Sequence, residues 1–276
     1  MEITKALPVW LDKSHPNFLR WERARNISLE RGKFVKQILE LDYNLINLNI
    51  LDLGSGEGGT TKILSENNFV VSLDINFTRL TRQKENYNLK KLLQADATKL
   101  PFADLTFDLI IIQDVIEHIG QLNNFSKEII RVLKNNGSVY LSTPNRLSII
   151  NFLSDPHWGT PFVSILSRNL IKNFFIKFFR KTEINRKDIP QLLTLNKILK
   201  LFSDKFEIKI MTDFSVNELF KENKGIVWSD FHLKLINTLK RIKADRIVRR
   251  ISNNKFGFVN KYLTPTFYLL MKKKSQ

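Results

Sequence analysis

The chain of 276 residues has no cysteine. That excludes a disulfide scaffold, a thiolate metal site and a cysteine nucleophile. No apolar run approaches the roughly 18 residues of a membrane-spanning helix; the run Leu109-Ile110-Ile111-Ile112 reads as a strand. The opening residues Met1 to Lys5 lack the apolar core of a secretion signal, so a cytoplasmic protein is expected. There are four histidines in all. No helix-turn-helix, RNA-recognition or zinc pattern is present. What remains, 43% hydrophobic and 26% charged, is a globular chain. Its length suits one large domain or one domain with an elaboration.

Acidic residues are scarce in only one half. Residues 1–145 carry 18 Lys/Arg and 17 Asp/Glu, whereas residues 146–276 carry 26 and 10, so nearly all of the +17 net charge lies in the second half. Phenylalanine divides the same way, 7 before Arg146 and 14 after. A basic, aromatic-rich half suggests an anionic partner, membrane or nucleic acid, or else a solvated surface.

Before Pro144, apolar strands alternate with helical patterns. Strands are expected at Asn49–Leu53, Phe69–Asp74, Lys91–Ala95, Phe107–Gln113 and Ser138–Ser142. Helices are expected at Ile27–Leu41, Thr60–Asn67, Phe77–Asn86 and Asn124–Leu133, the last closed by Asn135-Asn136-Gly137. This alternation indicates a parallel sheet covered on both faces, and right-handed crossovers make it doubly wound. Residues 146–190 show no clear strand. Thr194–Phe202 reads as a helix and Phe206–Met211 as a strand. Helices follow at 215–223 and 231–251, and Pro265–Met271 reads as a last strand.

The sharpest feature is Ile50-Leu-Asp-Leu-Gly-Ser-Gly-Glu-Gly-Gly59, glycines where a strand turns into a helix. Gly54, Gly56 and Gly59 fit a dinucleotide fingerprint, with Asp74 at the distance of a ribose-binding acid. Asp52, Gly54, Gly56 and Gly58 fit D-x-G-x-G-x-G equally well. The surroundings discriminate. A carboxylate at Asp52 would repel a pyrophosphate but favour a sulfonium ligand bearing an amino group. Asp96, after the third strand, lies at the carboxyl edge where such sheets bind ligands and can accept from an adenine amino group.

With these residues in place, the chain resembles the class I S-adenosylmethionine (SAM)-dependent methyltransferases, in the subgroup with quinone and sugar O-methyltransferases. The motifs are LDLGSGEG (51–58), SLDI (72–75), QADATKLPFADLTFDLI (94–110) and QDVIEHI (113–119). The resemblance implies an α/β, Rossmann-like, mostly parallel seven-stranded sheet with the last strand antiparallel, plus a helical insertion. It divides the chain into a SAM-binding core (1–145), a helical lid (146–190), and a completion of the core (191–276) with a basic insertion at 215–251. It also implies that Gly54, Ser55 and Gly56 flank the methionine part of SAM and that Asp52 meets its amino group. Asp74 would take the ribose hydroxyls, Ile75 would pack on adenine, and Asp96 with Ala97 would hold its amino edge. Gln113 would face the methionyl moiety.

An acceptor hydroxyl needs a base or a metal beside the methyl donor. His118, with Glu117, is the candidate base, and Asp114-x-x-Glu117-His118 resembles a segment tied to a divalent ion in quinone O-methyltransferases. His157, in Ser154-Asp-Pro-His-Trp-Gly-Thr-Pro161, should either border the acceptor site, with Trp158 presenting a loop to a ring-shaped substrate, or belong to a structural loop in which His157 caps a helix. His15 and His232 have no motif around them and read as ordinary surface or packing residues. Ile165–Lys181 reads as a helix with a Leu166, Leu170, Phe174, Phe178 stripe, fit for a lid or for an anionic membrane surface. The basic helix at 231–251 could meet the same surface or nucleic acid. The expected function is therefore methylation of a small-molecule or lipid-linked acceptor, a sugar or an aromatic quinone-like compound. RNA methylation, or SAM binding without turnover, are the alternatives.

Overall fold

A computed structural model describes residues 9–15, 18–186, 188–221, 227 and 230–275. The Met1–Lys5 stretch and the end of the helix expected at 215–223 lie outside them. Seven strands form one sheet: β1 (Asn49–Leu53), β2 (Phe69–Asp74), β3 (Leu92–Gln94), β4 (Phe107–Gln113), β5 (Leu133–Pro144), β6 (Phe206–Ile210) and β7 (Thr266–Lys273). Their spatial order is β3-β2-β1-β4-β5-β7-β6. The first five are mutually parallel, and β7 runs antiparallel to both β5 and β6. The seven-stranded, doubly wound sheet with its last strand reversed is therefore as expected.

Side-chain alternation along the strands divides the core between two faces. Leu51, Leu53, Ile110, Ile112, Val139 and Leu141 pack with Phe125 and Ile129 of α5 (Leu122–Val132) and with Ile198 and Phe202 of the helix Leu195–Phe202. Ile50, Leu109, Ile111 and Tyr140 on the other face meet Phe34, Val35 and Ile38 of α2 (Ser28–Leu39), which follows α1 (Phe18–Asn26). Each large apolar side chain so enclosed contributes about 1.5–3 kcal/mol. Glycines set the spacing of α2 from α3 (Gly59–Leu64). A Cβ on Gly59 would lie 2.2 Å from the Ser28 carbonyl, and one on Gly32 2.7 Å from Gly59 O. Asn76 caps α4 (Phe77–Tyr87) by accepting from Arg79 N–H, and Asn88 closes it at φ 52°.

Three helical segments differ from expectation. Asn135-Asn136-Gly137 does not close a helix. α5 ends at Val132, Leu133 is already extended, and β5 begins there. The Asn-Asn-Gly run forms a bulge between the pairs Phe107–Leu133 and Leu109–Ser138. The helix expected at 231–251 is two, Asp230–Arg241 and Asp245–Ile251, broken where Lys243 takes φ 59°. The helix expected at 215–223 is Thr212–Phe220.

Candidate functional site

The glycine loop leaves β1 at the carboxyl edge of the sheet. Gly54, Gly56 and Gly58 take φ of 69°, 56° and 79°, a region L-residues rarely adopt, whereas Gly59 serves helix packing. The D-x-G-x-G-x-G reading thus matches the glycines the backbone requires. A Cβ on Gly54 would also sit 2.4 Å from Val115 Cγ2. Gly54 and Ser55 N–H donate to Leu73 O, and Gly56 N–H donates to Asp74 Oδ2 (2.9 Å). Asn76 N–H donates to Asp74 Oδ1 (2.8 Å), and Arg79 stands 3.7 Å away, so the buried Asp74 carboxylate stays oriented with lone pairs to spare. Gln83, fully buried on α4, ties the loop down by donating to Gly56 O and Ser55 Oγ and accepting from Ser72 Oγ.

Asp52 is 2% exposed and accepts from Thr61 Oγ1 at 2.5 Å. Burial pushes its carboxyl up to about 6; the Thr61 hydrogen bond opposes the rise and the negative Asp74 adds to it. Ile75, next to Asp74, is 68% exposed, an apolar surface open at the same edge. Asp96 is exposed and accepts from Thr98 N–H and Oγ1 through one oxygen, Oδ1, with Ala97 buried beside it. Gln113 Oε1 accepts from Thr60 Oγ1, joining the end of β4 to the start of α3. Trp10, to which the sequence assigned nothing, lies against Arg25, Arg79 and Arg82 at 5.7–5.9 Å, and Arg82 pairs with Glu57 of the loop.

After β4 the chain splits its polar groups between the two faces. Asp114 takes φ 54° and accepts from Ser142 Oγ (3.1 Å) and Arg31 Nη2 (2.5 Å). The expected trio with Glu117 and His118 is therefore not assembled, because Arg31 of α2 holds Asp114 on the opposite face. Glu117 is fully buried and accepts from Thr143 Oγ1 (2.9 Å); its Oε1 has no hydrogen-bond partner among the described residues and lies 3.7 Å from His157 Nε2. Burial pushes Glu117 up to about 7 against the pull of His118. His118 Nδ1 meets Asp188 Oδ1 at 2.7 Å. Burial would lower this histidine, but the Asp188 hydrogen bond and charge outweigh it and raise it, while burial holds His157 well below its ordinary value. The two rings meet edge to face at 5.3 Å. Gln191 N–H and Arg168 both donate to Glu117 O, which docks the segment carrying Asp188.

Ligand atoms of Glu117, His118 and His157 lie within 4.8 Å of one another. One carboxylate oxygen and two imidazole nitrogens, with Asp188 behind His118, fit a divalent ion. The metal candidates are thus these three, with His157 where the sequence suggested Asp114.

Trp158 does not face a substrate. It is 1% exposed, packs edge to face on Phe175 and lies under Arg186, while Asp155 accepts the N–H groups of His157 and Trp158 to fix the turn. A bulky indole flanked by Pro and Gly anchors the helical segment here. That segment runs through Arg168–Leu170, a π-helical Ile171–Ile176 and Lys177–Phe179. Ile171, Phe175 and Ile176 are buried; Leu170, Phe174, Phe178 and Phe179 are exposed. His15, as expected, packs, stacked on Trp21 at 4.6 Å. His232 lies in the wall of a cavity described below.

Residues 51–141 match the family described as "Methyltransferase domain". A "probable S-adenosylmethionine-dependent methyltransferase" of Mycobacterium tuberculosis is 32% identical over 101 residues, 36% of this chain and 37% of that protein. A ubiquinone biosynthesis O-methyltransferase of Rickettsia akari is 32% identical over 123 residues, 42% and 49% of the two chains. The chain thus aligns with about half or less of the length of these relatives. The crystal structure of a SAM-dependent methyltransferase from Thermotoga maritima shares the fold at TM-score 0.53 and 16% identity, covering 94% of this chain and 95% of that one. The matched domain, the sheet order and the geometry of the glycine loop agree: residues 51–141 carry a methyltransferase domain of the class I SAM-dependent kind, on the fold of that family.

Proposed function

We propose that this chain binds SAM at the carboxyl edge of β1, β2 and β4 and transfers its methyl group to a hydroxyl of a small-molecule or lipid-linked acceptor, a sugar or a quinone-like ring. The observation that carries the reading is the edge itself. Three glycines are held in the left-handed region between a buried carboxylate, Asp52, and an oriented one, Asp74, with exposed Ile75 alongside. Asp52 supplies negative charge for an ammonium group. Asp74 keeps acceptor capacity for a diol, Ile75 offers an apolar face, and Asp96 with Ala97 frames the far end. Bound SAM supplies a methyl group already activated on a sulfonium, so the protein's task is alignment, exclusion of water and removal of one proton.

For that proton the candidate is His118. Asp188 engages Nδ1, which leaves Nε2 for an acceptor hydroxyl and stabilises the imidazolium that forms. Glu117 and His157 set the polarity behind it. The same three residues would hold a divalent ion, which would polarise the acceptor oxygen. Chelation separates the two: with EDTA, turnover through the base persists. The helical segment at 168–179 serves as a lid with Ile171, Phe175 and Ile176 inward, and its outward Leu170, Phe174, Phe178 and Phe179 beside Lys172 and Lys177 fit an anionic membrane surface. No helix among the described residues is long and apolar enough to cross a membrane.

Calorimetric titration with SAM tests the first half: micromolar binding, lost in Asp74→Ala, is expected, and near-normal affinity in that variant refutes the site. His118→Ala should lower kcat at least tenfold with SAM affinity kept; unchanged turnover rejects the base. Incorporation of labelled methyl into a lipid fraction, a soluble-metabolite fraction or RNA identifies the acceptor class.

A further inference from the structure

Beside the carboxyl ends of β4 and β5, on the Asp114 face of the sheet, lies a cavity of about 310 Å³ that the methyl-transfer reading leaves unassigned. That is at the low end of small-molecule sites. One end is polar: Arg31, Gln113, Asp114 and Ser142. Away from it the wall turns apolar, with Phe220, Leu235, Leu239, Val248 and Leu263 contributed by three helices, 212–220, 230–241 and 245–251, and by the segment before β7.

Most of the deeper polar side chains are already engaged. Thr212 donates to Asn260 Oδ1, Ser215 donates to Thr212 O, and Asn151 donates to Asn145 O and Pro265 O. His232 is the exception: its buried Nε2 has no hydrogen-bond partner among the described residues, and burial pushes the ring down to about 4, so it is neutral at physiological pH. One imidazole nitrogen cannot pair the several hydroxyls of a sugar, which would be left unsatisfied. A hydrocarbon chain carries no such groups.

The roof explains the basic helices at 230–251. Leu235, Leu239 and Val248 turn inward, while Arg241, Lys243, Arg246 and Arg250 are exposed, together with Ile242 and Ile247, each 64% exposed. A helical hairpin with an apolar inside and a cationic outside carrying two isoleucines suits entry from an anionic lipid surface.

We infer that this cavity is the tail subsite of the acceptor: it holds one hydrocarbon chain, acyl or prenyl, while the attached head group leaves it past Arg31 and Asp114 and crosses the carboxyl edge at the end of β4 to the methyl donor, with His118 on the far side of that edge. The inference rests on the methyltransferase reading for what happens at the head group, and its test is separable from that reading.

The probe is dansyl-labelled undecanoic acid, whose fluorescence rises on entering an apolar cavity, added to the 276-residue chain. Saturable binding is expected, displaced by dodecanol if the subsite takes acyl chains and by farnesol if it takes prenyl chains. Leu239→Trp, which fills the chamber from helix 230–241, should weaken the probe at least tenfold while the volume-conserving Leu239→Met does not. If Leu239→Trp does not fold, Val248→Phe from the facing helix makes the same test. Saturable binding that is unchanged in the filled variant, or displacement by methyl glucoside but by neither alcohol, overturns the inference. SAM titration of the same samples reads the other question. Probe failure with SAM bound removes only the tail subsite, and failure to bind SAM removes the methyltransferase reading whatever the probe does.

Discussion

If Asp52 meets the ammonium group of SAM as proposed, it couples cofactor binding to pH. Its carboxyl is 2% exposed, accepts from the Thr61 hydroxyl, and is pushed up to about 6. An ammonium group is bound by the carboxylate form alone, and the cation in turn holds that form in the complex. The fraction of free protein competent to bind is then about nine-tenths at pH 7 and about one-tenth at pH 5, so SAM affinity should fall about tenfold over that interval, with its bend near 6. The linkage to stability has the opposite sense. A folded-state value raised from 3.8 to about 6 means that the unliganded fold gains from the protonated group below 3.8 and loses that gain as pH rises through 6. The two-unit rise corresponds to about 3 kcal/mol by pH 7. Asp52→Asn should therefore raise the melting temperature of the unliganded protein at pH 7 while weakening SAM at every pH and abolishing the bend. Thr61→Val, which removes the opposing hydrogen bond, should move the bend above 6. Calorimetric titrations from pH 7 to pH 5 on the three proteins decide it. A flat wild-type affinity, or a bend that survives in Asp52→Asn, refutes the reasoning.

Four further outcomes are expected. Gly59→Ala forces a Cβ to 2.2 Å from the Ser28 backbone, so α2 and α3 must separate, costing about 3 kcal/mol and lowering Tm by roughly 6–12 °C; an unchanged melt means the helices do not meet there. Glu117→Gln should be more stable than the parent at pH 8 and no different at pH 4, because the raised carboxyl, at about 7 against 4.5, costs the fold stability as pH rises through that range; thermal melts at the two pH values show it. Asp188→Asn should lower kcat at least tenfold with SAM affinity intact, and Asp188→Glu should recover part of the loss; equal rates in all three remove Asp188 from the positioning of His118. Replacing Phe174, Phe178 and Phe179 together by Ser should abolish flotation with anionic vesicles without changing Tm, and flotation that persists assigns membrane contact elsewhere.

Much of the fold is written locally. Apolar runs such as Leu109–Ile112 and glycines at strand ends locate β1 to β5 and the loop, because each signal is carried by a few consecutive residues. The acids of the cofactor edge were legible for the same reason. What was not legible depends on distant partners. Asp188 meets His118 across 70 residues, Arg31 meets Asp114 across 83, and Gln83 reaches back 27 residues to Gly56, so no spacing announces them. Arg31 also explains why the local trio Asp114, Glu117 and His118 was misleading: a remote cation decides which face Asp114 joins. Trp158 is the mirror case, a side chain whose neighbours suggested display and whose burial against Phe175 depends on a helix about 15 residues away. Asn135-Asn136-Gly137 reads as a helix stop in isolation, yet pairing with β4 on both sides of it, at Leu133 and at Ser138, makes it a bulge within a strand.

The excess positive charge takes on a different meaning once these helices are placed. A surface built to track phosphates needs cations and gains nothing from exposed apolar groups, which cost free energy wherever no apolar partner covers them. Here the exposed cations of 172–177 stand beside Leu170, Phe174, Phe178 and Phe179, and those of 241–250 beside Ile242 and Ile247. Both segments turn a second apolar face inward, onto the Trp158 cluster in one case and onto the cavity in the other. A helix with two apolar faces separated by cations suits a boundary between a protein core and a lipid surface. The same construction places a chain-sized chamber directly beneath that boundary and beside the end of β4. On the proposed reading, charge, exposed aromatics and cavity are one arrangement for bringing a lipid-borne hydroxyl to an otherwise charge-balanced cofactor site.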